Sequence, residues 1–208
     1  MTNSKYRAQV KRRANQILNV CYEDGRATNL WSAHALMPHN PMPDVVEEII
    51  LKSLWRDSNT SAKNLLGGPF EILPAMLLLC RWENQLSEKA IDLVREFMTL
   101  AHLERGNTEN HWLMAYSGIL LATERWPDET YKWSGLPTTA IAAEATRWIN
   151  GIINRTAIGG HHEYDSTGYH IEHMTAYIGL YEHTKNLALR SNAEKMLTLL
   201  VADMALEF

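Results

Sequence analysis

Apolar positions recur every three or four residues along most of this chain, the period of helices that bury one face. The first helix predicted by that pattern runs from about Ser4 to Tyr22 and stops near Gly25. The segment from Asn29 to Pro43 carries Pro38, Pro41 and Pro43 and reads as a loop, since proline interrupts a regular helix. Asp44 opens a second helix with Val46, Ile49, Ile50 and Leu54 in register. Gly67-Gly68-Pro69 then precedes a third, very apolar helix over about Phe70 to Trp82, with Pro74 expected in its first turn. Ser87 caps a fourth, whose stripe is Ala90, Val94, Phe97, Met98 and Ala101. A fifth follows Gly106-Asn107-Thr108, from about Glu109 to Trp126, with Glu109 placed to suit the helix dipole. A sixth begins near Pro137 and carries Ile141, Ala145, Trp148, Ile149 and Ile152. A seventh spans Ser166 to Thr184, and an eighth starts near Leu187 with Leu189, Ala193, Met196, Leu197, Leu200 and Met204 on one side. No stretch reads as a strand.

The result is an all-α chain of about eight amphipathic helices whose connections favour antiparallel neighbours. Hairpins recur at roughly 40–50 residues, a period compatible with stacked helix pairs. With no linker to divide it, the chain of 208 residues reads as one helical domain with a substantial core.

A net charge of −4 without a dominant basic run excludes nucleic acid as the main partner. The cluster Lys5, Arg7, Lys11, Arg12 and Arg13 reads as a solvated helix face. Cys21 and Cys80 form neither a disulfide framework nor a zinc pattern and are expected to be buried as small hydrophobes. No signal core and no membrane-length apolar stretch is present, so the chain as written reads as cytoplasmic; a piece of a longer secreted or periplasmic protein would look the same.

The chemistry concentrates between Gly159 and His173, which hold His161, His162, His170, His173, Glu163, Asp165, Glu172, Tyr164 and Tyr169. At about 100° per residue, Ser166, Tyr169, His173 and Tyr177 share one helix face, while Ile171, Met174, Ile178 and Tyr181 share another. The apolar face suits core packing. The polar and aromatic one suits either a cleft wall or a hydrogen-bonded helix interface. A second stretch, Asn107-Thr108-Glu109-Asn110-His111-Trp112, opens a helix, where backbone N–H groups favour an anion. It reads either as a carboxylate site or as a cap beside a surface histidine. An amide, an imidazole and a tyrosine in one cleft suit proton abstraction next to a carboxylate, because donors that neutralise the carboxylate stabilise an enolate-like transition state. Tyrosine, with a reference pKa of about 10, needs nearby positive charge to serve as base. His170, His173 and Arg155 are the candidates to supply it.

Gly159-Gly160-His161-His162-Glu163 through Ser166-Thr167-Gly168-Tyr169-His170 resembles the segment of heparinase II/III-like polysaccharide lyases in which a Gly-Gly-His turn leads to Glu and then Ser-x-x-Tyr-His. Asn110-His111 is similar to the Asn-His pair of alginate lyases in the same α/α-toroid group. The resemblance covers about residues 65–208 and implies part of an (α/α) toroid that cleaves an acidic, uronate-containing polysaccharide or oligosaccharide by β-elimination. It makes Asn110 and His111 the carboxylate neutralisers and Tyr169 the proton-transfer residue, with His173 beside it in the catalytic set. Glu163, His161, His162, Tyr164 and Ser166, with Trp133, are the expected substrate-binding residues. Tyr164-Asp165 stands where that family has an arginine after the glutamate, so the arginine that orients substrate is missing.

Two further chemistries compete. His161, His162, Glu163, His170 and His173 are able to bind zinc. No H-E-x-x-H is present, however, and His170 and Glu172 point away from His173 on a helix, so no metal or other cofactor is expected. Glu163 and Asp165 are the candidate carboxylates for a glycoside hydrolase on the same architecture, and their separation would decide that mechanism. A non-catalytic carbohydrate-binding or scaffold domain is the third reading. Among the tryptophans, Trp31, Trp82, Trp112, Trp126 and Trp148 read mainly as packing, and Trp133, in a loop with Tyr131, as the best sugar-stacking face. A toroid of six hairpins needs about twelve helices by that resemblance, so the Met196–Met204 stripe is expected to await a further helix. The chain is then either a fragment of a longer enzyme or a subunit whose ends another copy covers.

Overall fold

A computed structural model describes residues 3–23, 29–39, 43–55, 66–162 and 166–206. The helix α6, Glu109–Arg125, is the axis of the structure: twelve of its seventeen residues are buried, from Asn110 to Thr123. A helix apolar on all sides must be surrounded, and this one packs against α4 (Pro69–Trp82), α7 (Thr138–Gly159) and α8 (Thr167–His183). The α4–α6 crossing is close. A Cβ at Gly118 would stand 2.7 Å from the Ile72 Cγ2 and 3.0 Å from the Ile72 backbone, so only glycine lets the two helices approach this far.

Around this centre lie α1 (Asn3–Glu23), α2 (Leu30–Leu36), α3 (Pro43–Leu54), α5 (Glu88–Leu100) and α9 (Leu187–Leu206). The described residues are therefore mostly helical, as the periodicity predicts, with one helix more than expected. The segment read as a loop contains α2, because its prolines begin only at Pro38, after the helix has ended. Asn29 caps α2 by accepting the Ser32 N–H at 3.0 Å, and Leu30, Ala33 and Leu36 are buried. Pro74 also departs from expectation. Pro69 already occupies the start of α4, so Pro74 falls inside the helix, where its carbonyl lies 3.1 Å from the His34 Nε2 of α2.

The stripes on α3, α5 and α7 are buried as predicted, apart from Trp148, and Ser87 accepts the Ala90 N–H at 3.1 Å as the cap of α5. Two pairs of two-residue strands join loops: β1 (Leu66–Gly67) runs parallel to β2 (His102–Leu103), and β3 (Thr130–Tyr131) antiparallel to β4 (Leu136–Pro137). Two residues are too few to show an alternating pattern in sequence.

On α9, Leu189, Ala193, Met196 and Leu200 are buried against the chain's own α7 and α8 rather than turned toward an absent helix. The turn between α8 and α9 is pinned to the end of α6. Glu124 accepts the Thr184 hydroxyl at 2.7 Å and the Lys185 N–H at 2.8 Å. Neither cysteine is fully buried: Cys21 is exposed on α1, and Cys80 is half-buried, with its thiol pushed up to about 11 by burial. No helix among the described residues is long and apolar enough to cross a membrane.

The largest correction concerns α8. His170, His173, Ala176, Tyr177 and Leu180 form its buried side, while Ile171, Ile178 and Tyr181 are exposed. Of the polar and aromatic face, His173 and Tyr177 lie inward and Tyr169 stays half-exposed; of the apolar face, only Met174 packs against the core. The buried side is the one α8 packs against α6 and α9.

Candidate functional site

Three helix ends converge at one end of the molecule: the start of α6, the end of α7 and the start of α8. The helix α7 closes when the Gly160 N–H bonds the Thr156 carbonyl at 2.9 Å. Gly160 itself takes a φ of +74°, a region that favours glycine, and releases the chain into His161. Ser166 then starts α8 by accepting the Tyr169 N–H at 3.3 Å.

Glu109 ties these ends together. Its Oε1 accepts the Thr156 hydroxyl at 3.0 Å and its Oε2 accepts the His162 N–H at 3.0 Å. His161 Nδ1 stands 3.7 Å from Oε2, an electrostatic contact rather than a hydrogen bond. Burial alone would raise the Glu109 carboxyl, but the His161 ring, the His162 N–H and the Thr156 hydroxyl outweigh it and hold it down to about 2.

His173, fully buried, faces the same point. Its Nδ1 lies 2.9 Å from the Tyr169 carbonyl oxygen. A carbonyl only accepts, so Nδ1 carries the proton and Nε2 keeps a bare lone pair. Burial, helped by the nearby His161, pushes His173 down to about 4, leaving its ring neutral at neutral pH. The His161 and His173 ring centroids are 4.1 Å apart, and His170 is 6.1 Å from His161. Both His161 nitrogens, Nε2 of His170 and of His173, and the Tyr177 hydroxyl are buried with no hydrogen-bond partner among the described residues.

The other sequence-predicted residues are dispersed around this cluster. Asn110 is fully buried; its amide donates to the Glu172 carboxylate and its oxygen accepts the Thr108 hydroxyl. His111 packs edge-on against Phe70 with centroids 5.2 Å apart. Tyr169 is 44% exposed, in the first turn of α8, one turn before the buried His173 on the same face. His162 is exposed, its Nε2 2.8 Å from the Arg155 guanidinium. Glu163, Tyr164 and Asp165 lie outside the described residues.

Two cavities, each of about 570 Å³, open beside this end. The first is walled by Arg105, Tyr116, Trp133 and Glu144, and Trp133 packs edge-on to His102 at 5.6 Å. The second is walled by Trp112, Arg147, Trp148, Gly151, Arg155 and His162, with Glu109 at its inner edge. Arg105 bridges them, its guanidinium 4.3 Å from the Trp148 centroid and 5.3 Å from that of Trp112. Tyr116 stacks on Trp148 at 5.3 Å and donates to Glu144 at 3.1 Å. Trp148, in register with the core stripe, is thus a groove wall. The second cavity is lined by two guanidiniums, an imidazole and one carboxylate that already has donors. Asn110, His111, Tyr169 and His173 line neither cavity.

No family model, curated protein or solved structure matches the chain. Several residues of the site were not singled out from sequence. In the sequence Glu109 carries only a helix-dipole signal, and Arg105 and Arg147 stand in no motif. Arg147, Gly151 and Arg155, spaced by four on one helix face beside Trp148, are the signal that could have found the second cavity.

Proposed function

We propose that this chain binds an acidic, uronate-containing glycan in the second cavity and its continuation past Arg105, and cleaves it by β-elimination. The observation that carries the binding is that Arg147 and Arg155 line one groove together with Trp112 and Trp148. Guanidiniums suit carboxylates and indole faces suit sugar rings. Arg155, held against His162, supplies a guanidinium close to the turn where the lyase-like motif lacks its arginine. The helix pairs α6/α7 and α8/α9 are read as part of an (α/α) toroid.

The reaction rests on the motif resemblance. In it, the ionised Tyr169 oxygen, which lines neither cavity, takes the proton from the carbon beside the carboxylate of a sugar that continues from the second cavity toward the start of α8. The released electron pair forms the new double bond, and the C–O bonding pair leaves with the glycosidic oxygen, which takes its proton from Tyr169. Charge building on the carboxylate is met by Arg155 and His162, in a role the sequence had suggested for Asn110 and His111. The test is to incubate the full chain with uronate oligosaccharides and follow the ultraviolet absorbance of the unsaturated product. A rise that Tyr169→Phe abolishes is the expected result. New reducing ends without that absorbance would point to hydrolysis instead.

One observation favours a second reading, an acidic-glycan-binding domain without turnover. The Asn110 amide, the expected neutraliser, is already engaged by Glu172. Binding with neither product would establish that reading.

A further inference from the structure

We infer that Glu109, His161 and His173 form a binding site for a divalent transition-metal ion of the zinc class. One ligand atom from each lies within 4.8 Å of the others. Around a tetrahedral ion with ligands at about 2.1 Å, such atoms stand roughly 3.4 Å apart. The widest pair therefore needs to close by about 1.4 Å at most, within reach of small side-chain rotations.

The chemistry of the three groups converges. The His161 side chain is only 5% exposed and that of Glu109 9%, and His173 is fully buried. His173 presents its bare Nε2, and His161 has no hydrogen-bond partner on either nitrogen among the described residues. Unpartnered nitrogens of two imidazoles thus meet beside a carboxylate whose oxygens already accept from Thr156 and His162. Unpaired nitrogens of this kind are costly when buried, and a cation held by the carboxylate satisfies both imidazoles at once.

The surroundings have the form of an outer shell. Metal-bound histidines commonly donate their second N–H to a carbonyl, as His173 does to Tyr169 at 2.9 Å. Glu109 is oriented by Thr156 and His162. His161 also lines a smaller cavity of about 250 Å³ between α7 and α9, a route for an ion from solvent. Two histidines and one carboxylate are a ligand set zinc accepts with a fourth position left for water. Sequence spacing argued against a metal because it compared His170 with His173 on one helix, whereas the third ligand comes from α6.

The test uses the full chain, stripped with chelator, dialysed and titrated with Zn²⁺ by calorimetry, with elemental analysis of the product. About one equivalent is expected. Loss of outer-shell partners alone costs about 10–100-fold in metal affinity, so Glu109→Gln and His161→Ala should each weaken binding by at least roughly 100-fold. His183→Ala, at the far end of α8, should not. Co²⁺ loaded into the unaltered chain should give the intense visible bands of tetrahedral nitrogen and oxygen coordination, a readout that does not depend on a variant folding. Absence of stoichiometric Zn²⁺ in the unaltered chain, or unchanged affinity in a folded His161→Ala, would overturn the assignment.

Discussion

Asn110, in the first turn of α6, donates its side-chain amide to the Glu172 carboxylate on α8. The Thr108 hydroxyl occupies the amide oxygen from the other side. Asn110 is fully buried, so both of its polar groups are spent inside the protein. This contact holds the starts of α6 and α8 together and sets where Tyr169, one turn before Glu172, is presented.

Replacing Asn110 with alanine should therefore destabilise the fold. It leaves the Thr108 hydroxyl and the Glu172 carboxylate short of a partner, at a cost of about 1–3 kcal/mol. Urea denaturation of Asn110→Ala, Glu172→Ala and the double variant should reveal a coupling of at least about 0.5 kcal/mol. Unchanged stability with lost glycan turnover would mean that Asn110 acts on substrate instead.

Tyr169→Phe should leave stability within about 0.5 kcal/mol, since the side chain is half-exposed and only its hydroxyl is removed. If elimination occurs, turnover should fall by about 10²–10⁴-fold, the usual range for general acid–base catalysis. Thermal unfolding beside a product assay separates the two effects. A variant with undiminished kcat would remove Tyr169 from the mechanism.

Arg147→Ala and Arg155→Ala should each weaken binding of an acidic glycan while leaving a neutral glycan of the same length unaffected. Exposed charges are screened over about 8 Å at physiological ionic strength, so the difference between the two glycans should shrink as salt is added. Calorimetric titrations at two salt concentrations would read this. Equal losses for both glycans would assign the arginines to packing.

Gly118→Ala should lower the melting temperature, because the added methyl meets the Ile72 side chain and backbone at the α4–α6 crossing. Overpacking of this kind costs about 1–3 kcal/mol. Gly151→Ala on the open face of α7 meets nothing within 4 Å and should instead stabilise its helix by about 0.5–1 kcal/mol. Calorimetric melting of both variants checks the contrast in sign.

Stability should fall on acidification from near neutral pH. Burial lowers the His34 pKa, more than the Pro74 carbonyl contact raises it, with Arg81 adding to the lowering. His34 thus stays neutral in the folded chain and takes up a proton once unfolded. Below about pH 6.5 the unfolded state binds more protons, so stability declines as pH falls toward the folded pKa. Denaturation series in the presence of chelator should show a shallower decline over this window for His34→Gln. An identical pH dependence for the two chains would show that His34 is not the source.

What could be read in advance was governed by local rules. The spacing of Ala90, Val94, Phe97 and Met98 makes α5 a helix with one buried side wherever it sits, and Ser87 caps it by a contact three residues away. The starts of α6 and α8 and the Gly160 break were legible for the same reason: capping and helix termination involve only neighbours in the chain. The same rules misplaced Pro74 by a turn and missed α2, whose seven residues sit beside a proline-rich segment.

The inward face of α8 was not legible. Periodicity groups Tyr169 with His173, and Ile171 with Ile178, but it carries no information about which group meets the core. Ile171 and Ile178 are exposed because α8 buries the side with His170, His173, Ala176, Tyr177 and Leu180, where it packs on α6 and α9. The chain alone determined which residues share a helix and which end of each helix is capped. Only the packing of α6, α7 and α8 decided that a glutamate and two histidines would meet, because their proximity depends on contacts between residues some fifty to sixty positions apart.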